Sequence, residues 1–281
     1  GILDDVMHNS LPLPSHVPAI LPTTTTTTNS IREDEKNKPM QCMFWGIGGD
    51  GTVSANRSAA AIVGEKFSDV GVQAIFQFDA HKSGGVTVSH LRFSKANDDQ
   101  EAIPWYHGGI GTNQADFVAC HVASYLNNYD VLNSLRSGGI LLLNTKSQTL
   151  EDIEQSLPTS VKRELARKKA HLFVVDASGM AREAGLGKHT STVLSAAFFK
   201  LTGVAGSPVE AAALLKKAAA DTYGKNTAED KTSLTAKNAS AIDLGMSGVK
   251  EITYPSSWAD LPDAATTTSS SAVVEPDYVR D

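Results

Sequence analysis

Gly46, Gly48 and Gly51 follow the G-x-G-x-x-G spacing within Phe44-Trp45-Gly46-Ile47-Gly48-Gly49-Asp50-Gly51-Thr52-Val53. An apolar strand candidate precedes them and an alanine-rich helix candidate follows. Glycines there permit a tight turn and close backbone approach, and amides at the start of a helix attract phosphate oxygens. A dinucleotide would also need an acidic residue about 20 positions on. Position 66 is a lysine, and the nearest acid at a strand end is Asp79. That points away from a dinucleotide. A different phosphate-bearing ligand, or a tight turn with no ligand, stays open.

Gly49-Asp50-Gly51 also matches the start of a thiamine-diphosphate motif, in which the aspartate binds a metal. The asparagine that completes such a motif is missing, because Asn56 stands too near and Asn127 too far. Asp50 is expected to accept backbone hydrogen bonds within its loop. A second group runs from Phe78 to Phe93. Here Lys82 and Arg92 offer charge, Ser83 a donor, and Gly84-Gly85 an approachable backbone. The plain alternative is a hairpin turn with a solvated lysine. His81 and His90 lack the convergent ligands a metal needs. No G-x-S-x-G nucleophile is present. Cys120 and His121 are adjacent, so on a strand their side chains point to opposite faces. Cys120 is expected to be a small buried residue and His121 a strand end, not a base.

The elements that must carry these residues alternate along the chain. Strands are expected at 40–45, 72–78, 86–93, 117–120, 140–143, 171–175 and 249–254. Helices are expected at 53–63, 122–135, 159–169, 192–201 and 209–220, with Pro208 in a first turn. This alternation predicts an α/β fold. It would be a doubly wound, mostly parallel sheet with helices on both faces, Rossmann-like, with ligands at the carboxyl ends of the strands.

Composition narrows the function. The chain has 281 residues, with 25 Lys+Arg against 31 Asp+Glu for a net charge of −6, which disfavours nucleic acid as a partner. No apolar run is long enough to cross a membrane, and no secretory leader is visible, so the expected location is cytoplasmic or organellar, not secreted. Two cysteines, Cys42 and Cys120, cannot build a disulfide framework, a four-thiolate iron–sulfur cluster or a four-cysteine zinc site. Residues 10–40 hold five prolines, six consecutive threonines from Thr23 to Thr28 and a charged run from Arg32 to Lys36. Such a stretch reads as a linker, as do residues 264–275.

Five segments together resemble a known family. They are FWGIGGDGTVSANRSAAAIVGE (44–65), FDAHKSGGVTVSHLRFS (78–94), ADFVACHVASYLNNYDVLNSLRSGGILLLNT (115–145), GLGKHTSTVLSAAFFKLTGV (185–204) and VKEITYPSSW (249–258). In this order they are similar to the gamma-type domain of pyruvate:ferredoxin (flavodoxin) oxidoreductases. The resemblance divides the chain into residues 1–39, similar to the tail of a preceding transketolase-C-like domain plus linker, 40–260, the gamma-type domain, and 261–281, a linker into a following domain. It implies an interior piece of a longer polypeptide, inactive alone.

The resemblance further implies a coenzyme A-binding domain in an enzyme that oxidises a 2-oxo acid, pyruvate in the leading reading. That enzyme would make acyl-CoA and CO2 and reduce ferredoxin or flavodoxin. Thiamine diphosphate with Mg and 4Fe-4S clusters would sit on other domains, and the full enzyme would be a homodimer. No catalytic residue and no metal ligand is expected in this chain. The coenzyme A contacts implied are Gly49, Asp50, Gly51, Thr52, Asn56, Lys82, Ser83, Arg92 and Asn144. The family usually has Ser at Gly49, Lys at Arg57, Ser-Lys at Ala80-His81, and an Arg-x-Asn pattern where His189-Thr190-Ser191 stand. The alternative is a non-catalytic structural copy within a related enzyme, such as an NADP-linked pyruvate oxidoreductase or a sulfite reductase flavoprotein subunit.

Overall fold

A computed structural model of the chain describes residues 38–79, 84–95, 108–224 and 229–262. Seven strands form one sheet: β1 (Met40–Ile47), β2 (Val70–Phe78), β3 (Val86–Lys95), β4 (Ala115–Cys120), β5 (Leu135–Asn144), β6 (His171–Val175) and β7 (Lys250–Ile252). Their spatial order is β2-β3-β1-β4-β5-β6-β7. β1, β4, β5 and β6 are parallel neighbours. β3 runs antiparallel to both β1 and β2, and β7 runs antiparallel to β6. Five of the seven strands therefore point the same way, and the α/β, mostly parallel expectation holds. Within the segment from Phe78 to Phe93, Phe78 ends β2 and Val86–Phe93 lies in β3, which pairs with β2 antiparallel, and residues 80–83 lie outside the described residues.

Eight α-helices are described: α1 (Thr52–Lys66), α2 (Tyr125–Asn128), α3 (Leu150–Ser156), α4 (Thr159–Lys168), α5 (Ala177–Glu183), α6 (Ser191–Thr202), α7 (Pro208–Tyr223) and α8 (Glu229–Gly248). They cover both faces. On one face Phe44, Phe93, Phe117 and Phe173 pack with residues of α1, α5, α6, α7 and α8. On the other, Met43, Val118, Leu141 and Val174 pack with residues of α2, α3, α4 and the 3-10 turn at Trp258. Continuous apolar strands such as Ile140–Leu143 are buried from both sides, as a covered parallel sheet requires.

The expected helix over 122–135 is corrected to the single turn of α2. The apolar residues at helical spacing are buried, but they reach the core through turns. The buried Lys168 ammonium donates to the carbonyls of Leu132 (2.6 Å) and Leu135 (2.7 Å), and Asn113 donates its amide to the Asn133 carbonyl. Those acceptors are thereby satisfied outside any helix. β5 also starts earlier than expected, at Leu135, with Gly138 at φ 71°.

Candidate functional site

The chain leaves β1 in one direction, through α1 to the β2–β3 hairpin, and leaves β4 in the other, through α2 to β5. The carboxyl ends of β1 and β4 therefore flank a topological switch point, where open α/β sheets place ligands. The glycine loop sits there. Asp50 closes it: its carboxylate accepts from the Ile47 amide at 2.9 Å and the Thr52 amide at 2.7 Å, while its own amide donates to the Ile47 carbonyl at 3.0 Å. Asp50 thus acts as a loop clasp, and both its oxygens face its own backbone.

The glycines have distinct tasks. Gly51, the N-cap of α1, lies at φ 89°, a conformation costly for other residues. A Cβ on Gly51 would stand 3.3 Å from Ser191 Oγ. Ser191 opens α6, whose N-cap Thr190 makes no side-chain cap bond, and α1 likewise has no side-chain cap. Two helix N-termini therefore meet at Gly51, and their partial positive charges add. The Gly48 amide donates to the Gly85 carbonyl at 2.8 Å, which joins the loop to the start of β3.

His121, at the end of β4, completes the floor. Its amide donates to the Trp45 carbonyl at 2.9 Å, and its ring Nδ1 lies 2.8 Å from Thr52 Oγ1. Asn144, at the end of β5, donates from Nδ2 to the His121 carbonyl at 3.0 Å and accepts the Ala177 amide at 3.1 Å. Burial lowers the His121 pKa to about 4 despite the opposing pull of the nearby Asp50 carboxylate. The ring is therefore neutral at ordinary pH, a hydrogen-bonding group rather than a charge.

The structure thus brings together Gly49, Asp50, Gly51, Thr52 and Asn144. Asn56 lies one turn into α1, buried, with Nδ2 lacking a partner. Lys82 and Ser83 lie outside the described residues. Arg92 is not in the loop region. It pairs in register with Gln41, six residues before Ile47, so it sits about 20 Å from the glycine loop. The expected charged wall from Arg92 is corrected accordingly. Its buried guanidinium donates to Gln41 Oε1, Gln73 Oε1 and the carbonyls of Gly108 and Gly109, each at 3.0 Å. His121 and Ser191 are site residues that spacing alone did not single out. Their signal was position: one ends a parallel strand, the other opens a helix.

Beside Arg92, His90 accepts the Ile110 amide at Nδ1 (3.0 Å) and lies 3.1 Å from Gln77 Oε1 through Nε2. Burial, then the Arg92 charge, lower its pKa from 6.5 to about 4. The unfolded chain takes up a proton near 6.5, the folded one only near 4. Stability should therefore fall as pH drops through that window and be insensitive to His90 above it. Urea midpoints against pH check this. His121 contributes in the same window, so His90→Gln should reduce the slope between 6.5 and 4 without removing it, and an unchanged slope would contradict the assignment.

Among the described residues nothing fits a bound cluster or metal. Cys42 lies in the apolar cluster of one sheet face and Cys120 in that of the other. Burial raises both thiols, Cys120 to about 12. They cannot ligate one cluster. Among the described residues, no three His, Cys, Asp or Glu side chains are grouped to hold a metal ion, and no helix is long and apolar enough to cross a membrane.

Comparison with known proteins agrees with this architecture. Residues 41–248 match the family model "Pyruvate ferredoxin/flavodoxin oxidoreductase". The chain is 38% identical over 281 residues to a pyruvate-flavodoxin oxidoreductase of Klebsiella pneumoniae, covering 100% of this chain and 21% of that protein. It is 36% identical over 281 residues to the pyruvate:ferredoxin oxidoreductase of Moorella thermoacetica, again covering 100% and 21%. A mitochondrial NADP-linked pyruvate dehydrogenase of Euglena gracilis is 37% identical over 270 residues, 95% of this chain and 13% of that protein. The chain thus spans about one fifth of the length of the first two relatives. The pyruvate oxidoreductase subunit PORC of Thermotoga maritima shares the fold, with a TM-score of 0.57 at 19% identity over 76% of this chain and 98% of that one. The chain belongs to the pyruvate ferredoxin/flavodoxin oxidoreductase family.

Proposed function

We propose that this chain is the coenzyme A-binding part of a pyruvate oxidoreductase. That enzyme converts pyruvate and coenzyme A to acetyl-CoA and CO2 and passes two electrons, through iron–sulfur clusters, to ferredoxin or flavodoxin. The reading is carried by the Asp50-clasped glycine loop at the β1/β4 switch point, where the N-termini of α1 and α6 meet. The Thr52 amide is held by Asp50, and the amides that follow it in the first turn of α1, at Val53 and Ser54, suit the phosphates of coenzyme A. Thr52 and the neutral His121 supply polar contacts, and Gly49 and Gly51 let the ligand approach backbone.

The chain's contribution is positional. Holding the phosphates fixes the pantetheine arm, so the thiol is presented at high effective concentration to the acyl group it accepts. Thiamine diphosphate, with Mg, supplies the decarboxylation chemistry when bound by another part of the enzyme. Asp50 does not serve it, because its oxygens are occupied by Ile47 and Thr52. The 4Fe-4S clusters likewise belong elsewhere, given the separated cysteines. Other parts of the same polypeptide are the immediate partners, and the compartment is cytoplasmic or organellar.

A structural, non-catalytic role is the second reading, favoured by His189-Thr190-Ser191 standing where the family carries an Arg-x-Asn pattern. Amide-resolved NMR separates the two. Coenzyme A should shift the amides of Gly49, Gly51, Val53 and Ser54. Shifts absent there, or confined to another surface, would favour the structural role.

A further inference from the structure

Near the end of β1, Phe44 and Trp45 point to opposite faces of the sheet. Phe44 belongs to the core that packs with α1 and α6. Trp45 packs against the other cluster, as do Val86, Val88 and Val122, and all four are only partly buried. Tyr129, directly after α2, stands beside Trp45 with ring centroids 5.8 Å apart and planes at 38°. Tyr125 meets Tyr129 edge to face at 5.2 Å. Two observations set this aromatic shelf apart from ordinary core. Tyr129 is 42% exposed. Trp45 Nε1 is shielded from solvent and has no hydrogen-bond partner among the described residues, whereas a buried indole N–H ordinarily has one.

The shelf adjoins the glycine loop. Trp45 stands three residues before Gly48, at most about 11 Å along the chain. Val86 pairs in register with Ile47 and follows Gly85, whose carbonyl accepts the Gly48 amide at 2.8 Å. On the α2 side, burial first and then the neighbouring Tyr129 and Asp50 groups raise the pKa of the Tyr125 phenol. That ring therefore lies within electrostatic reach of the loop carboxylate. We propose that the adenine ring of coenzyme A stacks on Tyr129 at the edge of the Trp45 indole, while its phosphates lie at the glycine loop. This rests on the coenzyme A reading and adds to it the residues that recognise the base. Tyr129 turns outward to admit the ring, as an exposed side chain at the end of a single helical turn can. The Trp45 N–H then donates to a ring nitrogen at the edge of the purine. A planar heteroaromatic base offers both a face for Tyr129 and an acceptor for the unpaired donor, and an aliphatic arm offers neither. Val86, Val88 and Val122 form an apolar rim that keeps water from the stacked face.

Titration of the 281-residue chain with three ligands tests this. Coenzyme A carries the base and the phosphates, 4′-phosphopantetheine a phosphate without the base, and AMP the base without the pantetheine arm. Tyr129→Ala should weaken coenzyme A about tenfold and leave 4′-phosphopantetheine unchanged. Tyr129→Phe should restore the affinity for coenzyme A. Trp45→Phe keeps a ring but removes the donor, so it should weaken coenzyme A about fivefold. It should also remove most of the change in tryptophan emission that coenzyme A causes. Unchanged coenzyme A affinity in Tyr129→Ala overturns the proposal and leaves the coenzyme A reading standing. Equal weakening of coenzyme A and 4′-phosphopantetheine overturns it too, since the rings would then only support the fold. AMP bound as tightly as coenzyme A would assign the shelf to a free nucleotide and likewise overturn it. No binding of coenzyme A by the unaltered, folded chain overturns both readings.

Discussion

Arg92→Met is expected to cost about 3 kcal/mol or more of folding stability and to leave coenzyme A affinity of the folded chain unchanged. The guanidinium is buried and donates to two glutamine oxygens and two backbone carbonyls. Methionine fills similar space but strands those acceptors, and burying an unsatisfied polar group costs about 1–3 kcal/mol each. Arg92→Lys should recover only part of the loss, because one ammonium cannot reach four acceptors spread across a planar fork. Urea midpoints measure the first effect and titration of the folded variant the second. Reduced affinity with intact stability would return Arg92 to the ligand site.

The second large effect concerns the loop. Gly51→Val should weaken coenzyme A binding by about tenfold or more. Valine at φ 89° is strained by about 1–3 kcal/mol. Its Cβ also enters the space beside Ser191 Oγ, where the two helix N-termini meet. The loop must then shift, and the amides of α1 no longer converge with those of α6. Calorimetry on a variant shown to be folded checks this, and unchanged affinity would remove the loop from the ligand site. Asp50→Ala should act in the same direction by releasing the Ile47 and Thr52 amides.

The strands expected at 140–143 and 40–45 were legible because burial from both faces leaves a largely apolar run, unbroken at Ile140–Leu143 and interrupted only by Gln41 in the other, that a covered strand explains. The glycine loop was legible because a strand, a glycine spacing and a helix agreed at one place. Arg92 was not. A hairpin reverses direction, so β3 begins beside the loop and carries Arg92 away from it, and the residues that use its charge, Gln41 and Gln73, come from other strands. Residues 122–135 misled because buried turns can place apolar side chains at helical intervals when a remote group, here Lys168, satisfies the backbone. α8 was missed because its described inward residues, among them Leu234, Asn238, Ala241, Ile242 and Gly245, include too few large apolar side chains to draw a stripe. His121 and Ser191 came together only through the sheet order and the placement of α6.

Calorimetric titration of the chain with coenzyme A tests the central claim most directly. The account predicts saturable binding at one site per chain, weakened about tenfold or more in Gly51→Val and retained in Arg92→Met. Absence of heat at millimolar coenzyme A, in a sample whose cooperative melting shows it folded, would contradict it.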